Sequence, residues 1–321
     1  MTRYGRQMLL PDIGQDGQSR LARARILVVG AGGLAAPALP LLAGSGVGQL
    51  TILDPDVIEL TNLHRQTMFS EADCGHSKAQ RAAETVRAIN SSITVIAEKT
   101  ALTGQNAKEL VAGADLVLDC ADSYAASYLL SDTCLDTQTA LISASVLGFG
   151  GYAGGFCAGA PSIRAVFPDA PDNSASCATA GVIGPAVTMI GAIQAQMALS
   201  CLLRLEPSPL GQMVQLDARS WRFSSFRFDT APEPERGYRF VAASQLTEQD
   251  LIVELRDAVE APIPVHPAAE RMSPEDLPSH LPVADGRLAL CCATGLRAWR
   301  TAELVSEKWP GEIVLVSART S

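Results

Sequence analysis

The sequence predicts an α/β fold: a Rossmann-like nucleotide-binding domain with a mainly parallel sheet, followed by a small C-terminal α/β unit. Three observations carry this. The stretch Ile26-Leu-Val-Val-Gly30-Ala-Gly32-Gly33 sets an apolar run directly before a glycine cluster. A second apolar run, Leu50-Thr-Ile-Leu53, ends in Asp54. Thr230-Ala-Pro-Glu-Pro-Glu-Arg-Gly237 is proline-rich and charged, the composition of an exposed linker. The expected division is 1–229, a linker at 230–238, and 239–321.

The first run reads as a buried parallel strand, because such strands are apolar on both faces. Leu34 to Ala43 then reads as an apolar helix. Strand, glycine turn and helix N-terminus make an anion cradle: without Cβ atoms, backbone N–H groups approach a phosphate, and the helix dipole favours its charge. The third fingerprint position is Ala35, which the looser form of the motif accepts. Asp54 stands about 20 residues beyond the glycines, where such units place the carboxylate that holds a ribose hydroxyl.

The residues beyond Asp54 argue against a nicotinamide dinucleotide. Asp56, the run Asn62-Leu-His-Arg65-Gln66 and the helix start at Lys78 bring cations close to a phosphate loop. Cations over a triphosphate stabilise charge that develops in phosphoryl or adenylyl transfer. A nicotinamide-dependent oxidoreductase using the same loop is the alternative, as is a non-catalytic protein that binds a carrier protein.

Composition narrows the class. The chain has 321 residues, 47% of them apolar, and a net charge of −9, with no basic patch to suit a nucleic acid. The N-terminal Met-Thr-Arg-Tyr-Gly-Arg lacks the apolar region of a secretory signal, so a cytoplasmic location is expected. Ala178 to Leu203 carries no acid, lysine or arginine and is long enough to span a bilayer. Gly181, Gly184, Pro185, Gly191, Gln194 and Gln196 interrupt it, and it reads as a core helix rather than a membrane span.

Several motifs stand in a fixed order: Arg3-Tyr-Gly-Arg6-Gln7, Gly30-Ala-Gly32-Gly33-Leu34, Asp54-Pro-Asp56, Asn62-Leu-His-Arg65-Gln66, Lys78, Asp119-Cys-Ala-Asp122 and Cys177-Ala-Thr-Ala-Gly181-Val-Ile-Gly184-Pro185. Over roughly residues 3–228 the chain resembles the ThiF/MoeB/HesA family, bacterial relatives of ubiquitin-activating enzymes. The resemblance implies binding of ATP and Mg²⁺ and adenylation of the C-terminal glycine carboxylate of a small ubiquitin-like sulfur-carrier protein ending in Gly-Gly. It implies that Gly30, Gly32 and Gly33 form the phosphate loop and that Asp54 binds ribose. It implies that Asp56 and Gln66 belong to the same nucleotide site. Asn62, Arg65 and Lys78 would hold the triphosphate, and Asp122 would position Mg²⁺. Arg6 matches an arginine that reaches into the partner's site, which implies a homodimer. Cys177 would be a nucleophile of variable use, since a loop thiol near a helix N-terminus is activated there.

Many relatives also hold a structural zinc with two Cys-x-x-Cys pairs. Here those pairs would fall near Ser162 and Ala165, and near Ala231 and Pro234, and no Cys-x-x-Cys exists in the sequence. No structural zinc is expected, and packing by Trp221, Phe223, Phe226 and Phe228 is expected to replace it. Of the eight cysteines, Cys120, Cys134 and Cys201 read as packing.

Beyond the linker, Leu251–Leu255 and Leu288–Leu290 read as strands, Ala298 to Lys308 as a helix and Ile313 to Val316 as a closing strand. Cys291-Cys292-Ala-Thr-Gly295-Leu-Arg297 resembles the active loop of a rhodanese-type sulfurtransferase, with Cys292 as sulfur carrier. The match is truncated: the usual Asp-Val-Arg start stands only as Glu254-Leu-Arg256. Cys291 continues the strand and is expected to share a buried face with Ala289.

Overall fold

The computed structural model describes residues 3–169, 181–235, 237–282 and 285–318. Two sheets organise it. The strands of the first are β1 (Arg25–Val29), β2 (Gln49–Leu53), β3 (Thr94–Glu98), β4 (Leu116–Asp119), β5 (Ala140–Leu147), β6 (Gly150–Phe156), β7 (Gln212–Asp217) and β8 (Arg222–Arg227). Their spatial order is β3-β2-β1-β4-β5-β6-β7-β8. From β3 through β5 all neighbours run parallel, and β6 to β8 are added antiparallel. The mainly parallel Rossmann-like sheet is as the apolar runs require.

The order reverses between β1 and β4. A doubly wound sheet opens its crevice at such a point, outside the carboxyl ends of the strands. The helices packed with this sheet are α1 (Gly14–Arg23), α2 (Ala35–Ser45), α3 (Lys78–Ile89), α4 (Ala107–Ala112), α5 (Tyr124–Thr137), α6 (Ile163–Val166) and α7 (Gly184–Leu203). Strand alternation divides the core: Ile26 and Val28 join one cluster with α2, α3 and α7, while Leu27 and Val29 join another with α5. The span read from sequence as a core helix is α7, and its longest apolar window is only half buried. Its uncovered flank adjoins Leu10 and Leu41 around a 410 Å³ groove.

The second sheet is β9 (Arg239–Phe240), β10 (Leu251–Glu254), β11 (Glu270–Arg271), β12 (Leu288–Cys292) and β13 (Ile313–Ser317), in the order β11-β10-β12-β13-β9 and parallel throughout. Two helices accompany it, α8 (Leu277–His280) and α9 (Leu296–Val305), the latter starting two residues before the expected Ala298 and ending before Lys308. Leu288, Leu290 and Cys292 face the same apolar cluster as α5 of the first sheet, whereas Ala289 and Cys291 face a separate one. The expected sharing of a face by Cys291 and Ala289 is found.

Two sequence expectations are corrected. Trp221, Phe223 and Phe226 do not pack in place of a metal: among the described residues β8 is an edge strand and these side chains stay exposed, Trp221 at 76%. Only Phe228 turns inward, stacking at 5.2 Å on Phe156. Cys292 is not a loop residue. It is the last residue of β12 and is 2% exposed, because the strand runs past Leu290 to pair Cys292 with Ser317.

Candidate active site

The glycine turn after β1 is fixed by contacts that only glycine permits. Gly30 has φ +92°, and a Cβ there would stand 2.6 Å from the Cys120 carbonyl oxygen. A Cβ on Gly33 would meet Val187 of α7 at 2.8 Å and the Arg65 stem at 3.5 Å. The turn is therefore clamped between the loop after β4 and the turn that carries Arg65. A Cβ on Gly32 would touch the Gln66 amide nitrogen at 3.6 Å, an ordinary contact. α2 then begins at Ala35, so the turn delivers its N–H groups at a helix N-terminus.

Asp54 leaves the end of β2 and is buried. Its Oδ2 accepts from Ala31 N–H at 2.7 Å and its Oδ1 from Asp56 N–H at 2.8 Å. Burial pushes its carboxyl above the usual carboxylate range, against the pull of the Ala31 amide and of Lys78. Lys78 opens α3, is itself buried, and donates from Nζ to Asp56 Oδ2 at 2.8 Å. Asp56 is exposed, so this ion pair stands at the mouth of the crevice.

The turn between β2 and α3 holds the other polar groups. Asn62 is buried and accepts through Oδ1 from Glu59 N–H. Arg65 is partly exposed, with Nη1 near the Thr61 carbonyl at 3.2 Å and His64 Nε2 at 3.0 Å. Gln66 Oε1 is buried and, among the described residues, without a hydrogen-bond partner. An orphaned acceptor beside the phosphate turn suits a donor brought by a ligand, since an unpaired buried polar group costs about 1–3 kcal/mol. The turn is tied to α3 by Asp73, which accepts from Ser70 N–H at 2.8 Å and from Arg81 Nε at 2.7 Å.

Across the switch point, Asp122 is exposed in the loop after β4. Its mount went unseen in the sequence. The buried Asp119 carboxylate accepts from Ala121 N–H at 3.1 Å and Ser143 Oγ–H at 2.7 Å. Gln194 of α7 donates to the carbonyls of Asp119 and Ile142 at 2.6 and 3.1 Å. Burial raises the Asp119 carboxyl despite its serine partners, and the nearby Asp122 charge adds to the rise. Ser143 and Gln194 are more than 20 residues away in the chain, which is why no local motif announces them.

Arg6 is not part of this cluster. Its turn is anchored where Tyr4 meets Gly46 and Asn90, at the ends of α2 and α3, on the edge of the sheet opposite the glycine turn. A strand separates the two edges, roughly 15 Å. Cys177 lies outside the described residues.

The second sheet holds a separate thiol, Cys292, at the start of α9. Cys292 Sγ accepts from Gly295 N–H at 3.1 Å and Ala298 N–H at 3.3 Å, at the first turn of α9. Gly295 has φ +86°, which aims those amides back at the sulfur. Arg297 pairs with Glu260 at 2.9 Å rather than turning to the thiol. Glu254, of the altered Asp-Val-Arg start, is buried and paired in a fork with Arg256, at 2.7 and 2.6 Å.

A family model described as the ThiF family matches residues 4–237. The chain belongs to the ThiF family. A relative named SAMP-activating enzyme E1, from Haloferax volcanii, is 37% identical over 235 residues, covering 73% of this chain and 87% of its own. A longer match is the adenylyltransferase and sulfurtransferase uba4 of Aspergillus terreus, 34% identical over 314 residues, covering 88% of this chain and 65% of its own. The chain spans about half the length of the MOCS3 adenylyltransferase and sulfurtransferase relatives of Xenopus laevis and Bos taurus, 51% and 50%. Among solved structures, Escherichia coli MccB superposes with a TM-score of 0.64 at 22% identity, over 72% of this chain and 71% of that one, a likeness of fold. Family and fold are those expected from the ordered motifs.

Proposed function

We propose that this chain uses ATP and Mg²⁺ to adenylate the C-terminal glycine carboxylate of a small ubiquitin-like sulfur carrier. It acts as a cytoplasmic homodimer, and residues 239–321 form a rhodanese-like unit that carries sulfur on Cys292. The observation that carries the reading is the convergence of the glycine turn, buried Asp54, the Lys78–Asp56 pair and the Asn62–Gln66 turn on one crevice.

The chemistry asks for such a set. The carrier carboxylate attacks the α-phosphorus, an O–P bond forms, and the bond to pyrophosphate breaks. No general base is required, because a terminal carboxylate is already ionised at neutral pH. Two anions must instead be brought together, so fixed cations carry the catalysis. Backbone N–H groups at Gly32 and Gly33 bind phosphate, while Gly30, whose own N–H is held by the Leu53 carbonyl, shapes the turn. Asp54 takes the ribose, Asn62, Arg65 and Lys78 take the triphosphate, and Gln66 lies in the same nucleotide site. Asp122 is the carboxylate that would position Mg²⁺, which would offset phosphate charge when bound.

The homodimer reading draws on two features. Arg6 stands at the edge away from its own crevice, and Leu9, Leu10 and Leu41 are exposed beside the open flank of α7. In the C-terminal unit, two N–H groups and a helix N-terminus around Cys292 suit a thiolate or persulfide.

Exchange of labelled pyrophosphate into ATP, with a Gly-Gly-ended carrier present, tests the reading. Carrier-dependent exchange is expected. Absence of exchange together with binding of NAD would assign the crevice to the oxidoreductase alternative.

A further inference from the structure

The four positions where the family resemblance would set zinc ligands are Ser162, Ala165, Ala231 and Pro234, and none offers a thiolate or imidazole. The donor set does not fit zinc. The two segments are nevertheless joined. Ser162 donates from both its backbone N–H and its Oγ to the Glu233 carboxylate, at 2.7 and 2.6 Å. Ser162 also caps α6, the helix on which Arg164 stands.

Arg164 is the centre of the join. Its side chain is 9% exposed and forks onto Asp132 of α5, with Nε and Nη2 at 2.7 and 2.9 Å from the two carboxylate oxygens. Nη2 also donates to the Tyr238 carbonyl at 2.8 Å, one residue before β9. The guanidinium lies over the rings of Tyr128, at 4.9 Å, and of Trp299, at 5.4 Å. Tyr128 and Trp299 meet edge to face at 4.6 Å. Asp132 and Tyr128 belong to the first sheet's helices, whereas Tyr238 and Trp299 belong to the chain of the second.

We propose that Arg164, with Asp132 and Glu233, is a metal-free latch that fixes residues 239–318 to the nucleotide-binding half in one orientation. Arginine suits the task because its planar fork satisfies a carboxylate while the guanidinium lies against the Tyr128–Trp299 pair. The latch also reaches the sulfur site. Trp299 follows Ala298, whose N–H donates to Cys292 Sγ, so the helix turn that cradles the sulfur is pinned by an arginine from the other half. This holds whether or not the chain serves a sulfur carrier, since it rests on the join alone.

Thermal unfolding of the full chain, with and without EDTA, tests the latch together with limited proteolysis across residues 230–238. The wild type should unfold in one transition that EDTA does not shift. Arg164→Met strands Asp132 in a half-buried setting, so the C-terminal half should melt separately, on the order of 5–10 °C lower. Cleavage in the linker should rise about tenfold as local opening becomes accessible. Asp132→Met added to Arg164→Met should recover much of that loss, because the uncompensated charge is removed. If Arg164→Met does not fold, Glu233→Gln gives the same readings in milder form. A single unshifted transition with unchanged cleavage in both variants overturns the latch, as does a wild-type midpoint that falls with EDTA.

Discussion

Lys78 Nζ sits 2.8 Å from Asp56 Oδ2, and the same Asp56 donates its backbone N–H to Asp54. The cation proposed to meet the triphosphate is thus held by a carboxylate in the loop after β2. The pair aims a buried lysine at the crevice mouth. It also joins α3 to the loop that carries Asp54, so changes at Lys78 act on charge and on geometry together.

Lys78→Ala should lower ATP–pyrophosphate exchange by roughly one to three powers of ten, as expected for loss of a charge-stabilising group. Arg65→Ala should do the same, and Asp122→Ala should act chiefly by raising the Mg²⁺ concentration needed. Steady-state exchange at graded Mg²⁺ measures all three. Unchanged exchange in every variant would remove the adenylation assignment.

Arg6 should act in trans. Arg6→Ala and Lys78→Ala chains, each inactive alone, regain activity when their subunits are mixed. Random exchange of a symmetric dimer makes half the dimers hybrid, with one intact site in each, so about a quarter of all sites recover. Exchange verified by native mass spectrometry with no recovery would place Arg6 outside any site.

The crevice was legible because its signals are local. A buried parallel strand is apolar throughout, glycine is required where φ reaches +92°, and the acid follows its strand directly. The mounts were not legible, because each is a contact across the chain. Gln194 reaches Asp119 over 75 residues and Arg164 reaches Tyr238 over 74. The aromatic run from Trp221 to Phe228 misled for a different reason. Apolarity marks a residue that gains from burial but does not say whether anything lies above it, and β8 has a neighbour on one side only. Cys292 misled by one position: the last residue of a strand and the first of a loop look alike in sequence.

Acid should loosen the Asn62–Gln66 turn before it unfolds the sheet. Hydrogen bonds from Ser70 and the Arg81 guanidinium hold the Asp73 carboxyl down at about 2. Its folded value lies below the ordinary 3.8, so its stabilisation is present above that ordinary value and is lost as pH falls through about 2. Asp73→Asn should therefore melt a degree or two below wild type at pH 7, with a gap that closes between pH 4 and pH 2. Melting curves at stepped pH measure this. A gap that stays constant to pH 2 would show that the carboxylate charge contributes nothing.

Cys292, rather than Cys291, should take up sulfane sulfur. Both end the same strand, but they face opposite ways. Cys291 lies among Ala289, Val314 and Val316, where burial pushes its thiol well above the ordinary range. Cys292 instead meets the Gly295 and Ala298 amides. Incubation with a persulfide or thiosulfate donor should add one sulfur atom to a peptide containing Cys292. Cys292→Ala should abolish the addition and Cys291→Ala should leave it. Gly295→Ala should also abolish it, since its φ of +86° aims the donor amides and a Cβ there would strike the Phe240 ring. The closed setting of Cys292, only 2% exposed, predicts slow loading that quickens when the first turn of α9 opens. Loading on neither cysteine would leave residues 239–318 as a docking unit and make Cys177 the next thiol to substitute.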